Sequence, residues 1–123
     1  MFASYDPKDN QQIQSMIGAF GESFQVIKSW EDIDTPNIVF CVDKQTAQEV
    51  GNLYISHPLM QFRHKAHTTY VFGENNSQKL SRQIIAAKEN SKKNVELVTI
   101  PNMTIWAESA MAIVLYDIMS KKA

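Results

Sequence analysis

At 123 residues the chain has the length of one domain. Its 44% apolar content, with only 4 Gly and 4 Pro, excludes the disordered and fibrous classes. A formal net charge of -1 and a pI near 6.3 exclude a uniformly basic nucleic-acid binder, although a local basic patch could still meet phosphate.

MFASYDPKDN at the start carries neither a basic n-region nor an apolar h-region, so no signal peptide is expected. The single cysteine, Cys41, lies inside an apolar run. It gives no intrachain disulfide framework and favours a reducing compartment, the cytoplasm. After a short apolar stretch, Phe2 to Tyr5, Asp6-Pro7 predicts a turn. A helix is predicted over about 9–20, with Ile13, Met16, Ile17 and Phe20 on one face and Gly21 ending it.

Strands are predicted at 23–28 and at 37–43 (NIVFCVD), and the link between them is short for a parallel crossover. Residues 44–55 read as a helix with Ala47, Val50 and Tyr54 inward, broken by His57-Pro58, with a second short helix over 59–64. Next come a strand at 68–74 (TTYVFGE), a turn at 75–77, and a helix at 78–91 carrying Leu80, Ile84 and Ala87.

The closing segment is the most constrained. VELVTI, over 95–100, is a strand that Pro101 stops. Thr104 is a candidate N-cap for the last helix, with Glu108 one residue beyond the capping-box position. Ala107, Ala110, Met111, Val114, Leu115 and Ile118 then form one apolar stripe. Ala112, Ile113 and Tyr116 cover much of the opposite side, so this helix needs a covering surface on both faces. Lys121 and Lys122 close it where the helix dipole favours cations. The apolar run at 110–116 is far short of the roughly 20 residues that a bilayer requires, so no membrane span is expected.

NIVFCV and TTYVFG are apolar without clean alternation, as strands are when helices cover both faces of a sheet. Alternating strands and helices predict a single α/β domain over 1–123, three-layered, with a mostly parallel sheet. In such a sheet ligands bind off the carboxyl ends of the strands. Three segments gather there: Gly73-Glu74-Asn75-Asn76, Pro101-Asn102-Met103-Thr104, and the polar stretch over 6–12. Each also reads as an ordinary polar loop. A glycine at a strand end lets backbone approach a ligand, and Glu74 could hold a ribose hydroxyl or an amine.

Other chemistry is thinner. His57, His64 and His67 lack any metal-site spacing and read as surface or loop histidines. Cys41 reads as a packed core thiol. No GxSxG, P-loop or GxGxxG motif occurs, which disfavours a small hydrolase, and a receiver-like domain would want clustered acids at the strand ends. Arg63, His64 and Lys65 beside Phe62, and the set Lys88, Lys92 and Lys93, could touch phosphate but equally form solvated faces.

Taken in order, three segments resemble the SPOUT class of RNA methyltransferases, the α/β-knot family, in its SpoU/TrmH-like and archaeal tRNA ribose methylase branches. DPKDNQQIQSMIGAFGESFQVI is similar to the family's first motif, a polar turn and a helix ending in "AFG" before a strand. TYVFGENNSQKL looks like the second motif, "vFGsEg-Gls". VELVTIPNMTIWAESAMAIVLYDI looks like the third, a strand ending in "IP" and a helix ending in "aivLYe". The likeness covers most of the chain and rests on order and spacing more than on single positions.

That resemblance implies a C-terminal trefoil knot and an S-adenosylmethionine site in the knot loops. It also implies a homodimer packed through the first and last helices, which would cover the second face of the closing helix. By position the cofactor loops would include Phe72, Gly73 and Glu74, then Ile100, Pro101, Asn102 and Met103, with Ile105 beside them. The chain departs from the family where chemistry is concerned. The first-motif arginine is missing: Ser15, after Gln14, is the nearest position, and no arginine precedes Arg63. The third-motif "SLN" has only Glu108-Ser109 as a partial echo.

The expectation is therefore an S-adenosylmethionine-dependent methyltransferase acting on tRNA or rRNA. Glu74, Glu108 and Asn10 are its candidate catalytic side chains, and Arg63, Lys65 and Arg82 its candidate RNA contacts. The alternative is a catalytically inactive homodimeric module that binds S-adenosylmethionine, another nucleotide-like ligand, or a protein partner.

Overall fold

The computed structural model describes residues 1–5, 10–73, 77–100 and 107–122, without the side chains of residues 10, 77–79, 107 and 108. Six strands form one sheet: β1 (Phe2–Tyr5), β2 (Phe24–Ile27), β3 (Asn37–Val42), β4 (Ser56–Pro58), β5 (Thr68–Phe72) and β6 (Asn94–Thr99). Their order is β2-β1-β5-β3-β6-β4, and every pairing is parallel. Four helices accompany them: α1 (Asn10–Ala19), α2 (Lys44–Glu49), α3 (Ser77–Asn90) and α4 (Ala107–Lys122). No helix among the described residues is long and apolar enough to cross a membrane.

The uninterrupted apolar strands have a simple cause. Successive side chains of a strand point to opposite sides, and here both sides are buried. Phe2, Val39, Cys41, Tyr70, Phe72 and Val98 join one hydrophobic cluster with Ile13 and Ile17 of α1 and five residues of α4, from Ala110 to Ile118. Ala3, Tyr5, Ile38, Phe40, Val42, Val71 and Leu97 join a second cluster with Leu80, Ile84 and Ala87 of α3. FASY, read from sequence as no more than a short apolar stretch, is an inner strand paired on both sides. Fully buried over its four residues, it offers no alternation to mark it as a strand.

Three local expectations are corrected. The helix predicted over 44–55 stops at Glu49. Asp43 caps its start by accepting from the Thr46 N–H at 2.8 Å, but Gly51-Asn52 ends the run. The Leu53 and Tyr54 amides then donate to the Val50 carbonyl at 3.0 and 3.2 Å, a turn that still delivers Val50 and Tyr54 to the second cluster. His57-Pro58, read as a break, belongs to edge strand β4, where a proline is tolerated. Phe20, assigned to the buried face of α1, is 54% exposed, because the helix ends at Ala19 and the chain turns through Gly21 at φ 77.

The short link over 28–36 also finds its explanation. It crosses from edge strand β2 past β1 and β5 to β3, about 14 Å across the sheet at the usual strand spacing, and returns about 17 Å along it to the start of β3, a span of about 22 Å that its extended reach of about 30 Å covers. Ile33 plugs into the second cluster, and the Trp30 amide donates to Gln83 Oε1 of α3 at 2.9 Å. The Lys93 ammonium donates to the Ile33 carbonyl, so one member of the expected solvated lysine set is an anchor.

Candidate functional site

A parallel sheet has two unlike edges. At the carboxyl edge, β5 and β6 end on either side of β3, with Phe72 level with Cys41 and Thr99 level with Val42. The two segments read as cofactor loops therefore leave the sheet about 10 Å apart, two strand spacings. The first residues of α1, α3 and α4 belong to the same edge, since each helix follows a strand that ends there.

The candidates divide as follows. Glu74, Pro101, Asn102, Met103 and Ile105 lie outside the described residues, as do the side chains of Asn10 and Glu108. The side chains of Phe72 and Ile100 are committed to the first cluster, Phe72 stacking on Phe2 with centroids 5.8 Å apart. The Ile100 amide already donates to the Val42 carbonyl at 3.0 Å. Gly73 has a structural cause: a Cβ there would lie 2.5 Å from Leu80 Cδ2 and 3.2 Å from Leu80 Cβ. The glycine admits α3 to the strand end, where the sequence reading gave it to a ligand.

Two buried hydroxyls near this edge, Ser4 Oγ and Thr99 Oγ1, have no hydrogen-bond partner among the described residues. An unpaired buried hydroxyl costs about 1–3 kcal/mol. By strand parity Ser4 faces the α1–α4 side with Phe2, and Thr99 the α3 side with Leu97.

The other edge, where the strands begin, holds a cavity of about 680 Å³. Glu22, Thr35, His67 and Thr68 line it from the strand starts, Phe62 to Ala66 from the segment before β5, and Ile118, Lys121 and Lys122 from the end of α4. Beside it runs a chain of polar contacts. His64 Nε2 lies 2.6 Å from Asp117 Oδ2, and His64 Nδ1 lies 2.6 Å from the Tyr70 hydroxyl. Lys121 Nζ pairs with the same Asp117 oxygen at 2.8 Å and donates to the Leu59 and Phe62 carbonyls, both at 2.7 Å.

This network is secluded: the His64 and Asp117 side chains are 10% and 16% exposed. Burial, the largest cause, pushes the Tyr70 phenol above the usual tyrosine range, and Cys41, Glu22, Asp117 and Glu96 add to the effect. Burial likewise pushes the Cys41 thiol up, as suits a packed core cysteine. The surface reading of the histidines holds for His57 and His67, both exposed, and fails for His64.

Of the candidate RNA contacts, Arg63 and Lys65 line this cavity and Arg82 does not. Arg82 is exposed on α3, whose buried apolar residues Leu80, Ile84 and Ala87 belong to the second cluster. Lys65 is paired with Glu96 at 2.9 Å. The sequence held one overlooked sign of the network. Asp117 directly follows the apolar run at 110–116 and precedes Ile118, and an acid bordering a buried stripe needs a partner. Neither a family model, nor a curated protein, nor a solved structure matches the chain.

Proposed function

We propose that the chain is an S-adenosylmethionine-dependent RNA methyltransferase of SPOUT type, three-layered and knotted at its C-terminus, acting on tRNA or rRNA as a homodimer. The observation that carries the reading is that β5 and β6 end within one residue of each other on either side of β3. The strands that lead into the two segments resembling the second and third SPOUT motifs thus end two strand spacings apart on the edge where parallel sheets bind ligands.

The described flanks fit a ligand read mainly by main-chain groups. Gly73 presents no side chain, Phe72 and Ile100 turn theirs into the core, and just behind, Ser4 and Thr99 hold hydroxyls that have no partner among the described residues. S-adenosylmethionine brings an activated methyl group, so the protein's contribution is chiefly to position a nucleophile in line with it. A general base is needed where a ribose hydroxyl is attacked, and Glu74, Glu108 and Asn10 are the side chains to vary first. The exposed apolar residues Tyr116 (73%) and Met119 (48%) of α4, with Phe20 after α1, supply the surface for a second copy. Sedimentation equilibrium measures that association directly.

One observation favours the non-enzymatic alternative: no arginine precedes Arg63. Calorimetric titration with S-adenosylmethionine and S-adenosylhomocysteine separates the readings, followed by methyl transfer to bulk tRNA and rRNA. Asn102→Trp is expected to abolish cofactor binding, and unchanged affinity in that variant would remove the site assignment.

A further inference from the structure

We propose that the cavity at the strand-start edge is a proton-linked binding site for a phosphate monoester, held by Arg63 and Lys122 and by the Tyr70 hydroxyl. This site lies at the opposite end of the strands from the cofactor segments and does not rest on the methyltransferase reading.

The cations around the cavity are not equivalent. Lys121 has three N–H groups and three acceptors, Asp117 and the carbonyls of Leu59 and Phe62, so it is a positioning residue. Lys65 has Glu96. Glu22 is matched by the Met1 ammonium at 3.4 Å. Arg63 and Lys122 line the cavity and make no ion pair among the described residues. A guanidinium fork suits phosphate oxygens. With Lys122 and Tyr70 it gives three donor groups, which a tetrahedral phosphate can meet with three oxygens and a carboxylate cannot. Phe62 and Ile118 add apolar wall, and a cavity of about 680 Å³ exceeds what inorganic phosphate fills. The ligand therefore carries an organic group on its phosphate.

The proton link follows from the hydrogen bonds. The Asp117 carboxylate accepts from His64 Nε2, which must therefore carry hydrogen. In the neutral imidazole the lone pair on Nδ1 then accepts the Tyr70 hydroxyl hydrogen across the 2.6 Å contact, which leaves that hydroxyl with nothing to donate to a ligand. When His64 takes a second proton, Nδ1–H donates to the Tyr70 oxygen and the phenolic hydrogen must turn elsewhere. Both residues line the cavity, and an anion bound there is the acceptor that the proposal assigns to it. Other groups bear on this switch: Asp117 and Lys121 of α4, Arg63 and Lys65 beside His64 in the chain, Cys41 of β3, Glu96 of β6, and Glu22 after α1. Anion binding and His64 protonation thus favour each other by linkage.

The test is calorimetry of the full chain with adenosine 5′-monophosphate near pH 7, in buffers of differing ionisation enthalpy. The wild type is expected to bind and to take up more protons than Tyr70→Phe and than His64→Gln, which keeps hydrogen-bonding groups but cannot titrate. Arg63→Ala is expected to weaken binding by about tenfold or more. Adenosine is expected not to bind. A 5′-phosphorylated oligoribonucleotide distinguishes the source: tighter binding than the mononucleotide identifies an RNA end, and equal or weaker binding a small ester. Absence of binding at millimolar mononucleotide would overturn the proposal, as would equal proton uptake in wild type and both variants, or unchanged affinity in Arg63→Ala.

Discussion

Gly73→Ala tests whether that glycine serves the helix or a ligand. The added methyl would meet Leu80 Cδ2 at 2.5 Å, Cγ at 3.1 Å and Cβ at 3.2 Å. A new Leu80 rotamer moves Cδ2 away but leaves Cβ in place. The first turn of α3 must then retreat, and with it Ile84 and Ala87, both fully buried in the second cluster. Overpacking of this kind costs about 1–3 kcal/mol. We expect a loss of about 2 kcal/mol in urea denaturation, or roughly 6–10 °C in Tm. Leu80→Ala alone should cost about 2–4 kcal/mol, since the side chain is buried. On that background Gly73→Ala should cost about 1 kcal/mol less than in the wild type, because Cδ2 and Cγ are gone and only the Cβ contact at 3.2 Å remains. Unaltered stability in Gly73→Ala, with cofactor binding lost, would refute the packing argument and return the glycine to the ligand.

Two further substitutions address the charged groups. Asp117→Ala leaves the His64 Nε2–H without its acceptor and Lys121 without its carboxylate. It should cost about 2–3 kcal/mol in urea denaturation, and a loss below about 1 kcal/mol would show the network to be peripheral. Glu96 has its carboxyl held below the ordinary range. Burial raises it, but the Lys65 and Asn94 hydrogen bonds and the Lys65 and His57 charges outweigh burial. A lowered folded value stabilises above the unfolded value and is lost as pH falls through the folded one. The deficit of Glu96→Gln against wild type should therefore be present at neutral pH, below about 1 kcal/mol for so exposed a pair, and vanish in acid. A deficit that persisted in acid would show that it does not come from the carboxylate's charge.

How much of this was legible in the sequence depended on burial geometry. The stripe on α4 was readable because it is buried on one side and long: Met111, Val114, Leu115 and Ile118 are all in the core. α3 was readable for the same reason. β1 and β4 failed from opposite causes. β1 is buried on every side and so shows no period, whereas β4 is exposed over its whole length and shows no apolar signal. α2 was read too long because Val50 and Tyr54 keep helical spacing while reaching the core through a turn. The candidate site was legible only as positions along the chain. Its strands end within one residue of each other, but the side chains expected to do chemistry are not among the described residues. The Tyr70–His64–Asp117 contacts join residues 6 and 53 apart in the chain, a separation that no local pattern encodes.

The two edges should also differ in how they hold charge. α1, α3 and α4 each follow a strand end, so their free amide ends gather at the carboxyl edge and their free carbonyl ends at the other. A helix start attracts negative charge through main-chain dipoles, and a helix end repels it. At the strand-start edge an anion must therefore be held by side chains. Lys121 already spends two of its hydrogens on the carbonyls of Leu59 and Phe62, which leaves Arg63 and Lys122 to outweigh the remaining carbonyls. Both are exposed, and charges reached by solvent are screened over about 10 Å at 0.1 M salt. Binding of adenosine 5′-monophosphate should thus weaken steeply as salt is raised. On the proposed reading S-adenosylmethionine would instead be met at the other edge, beside buried Phe72 and Ile100, and should lose far less. Equal salt dependence in parallel calorimetric titrations would mean that the two ligands share one edge, because main-chain donors and exposed cations cannot be screened alike.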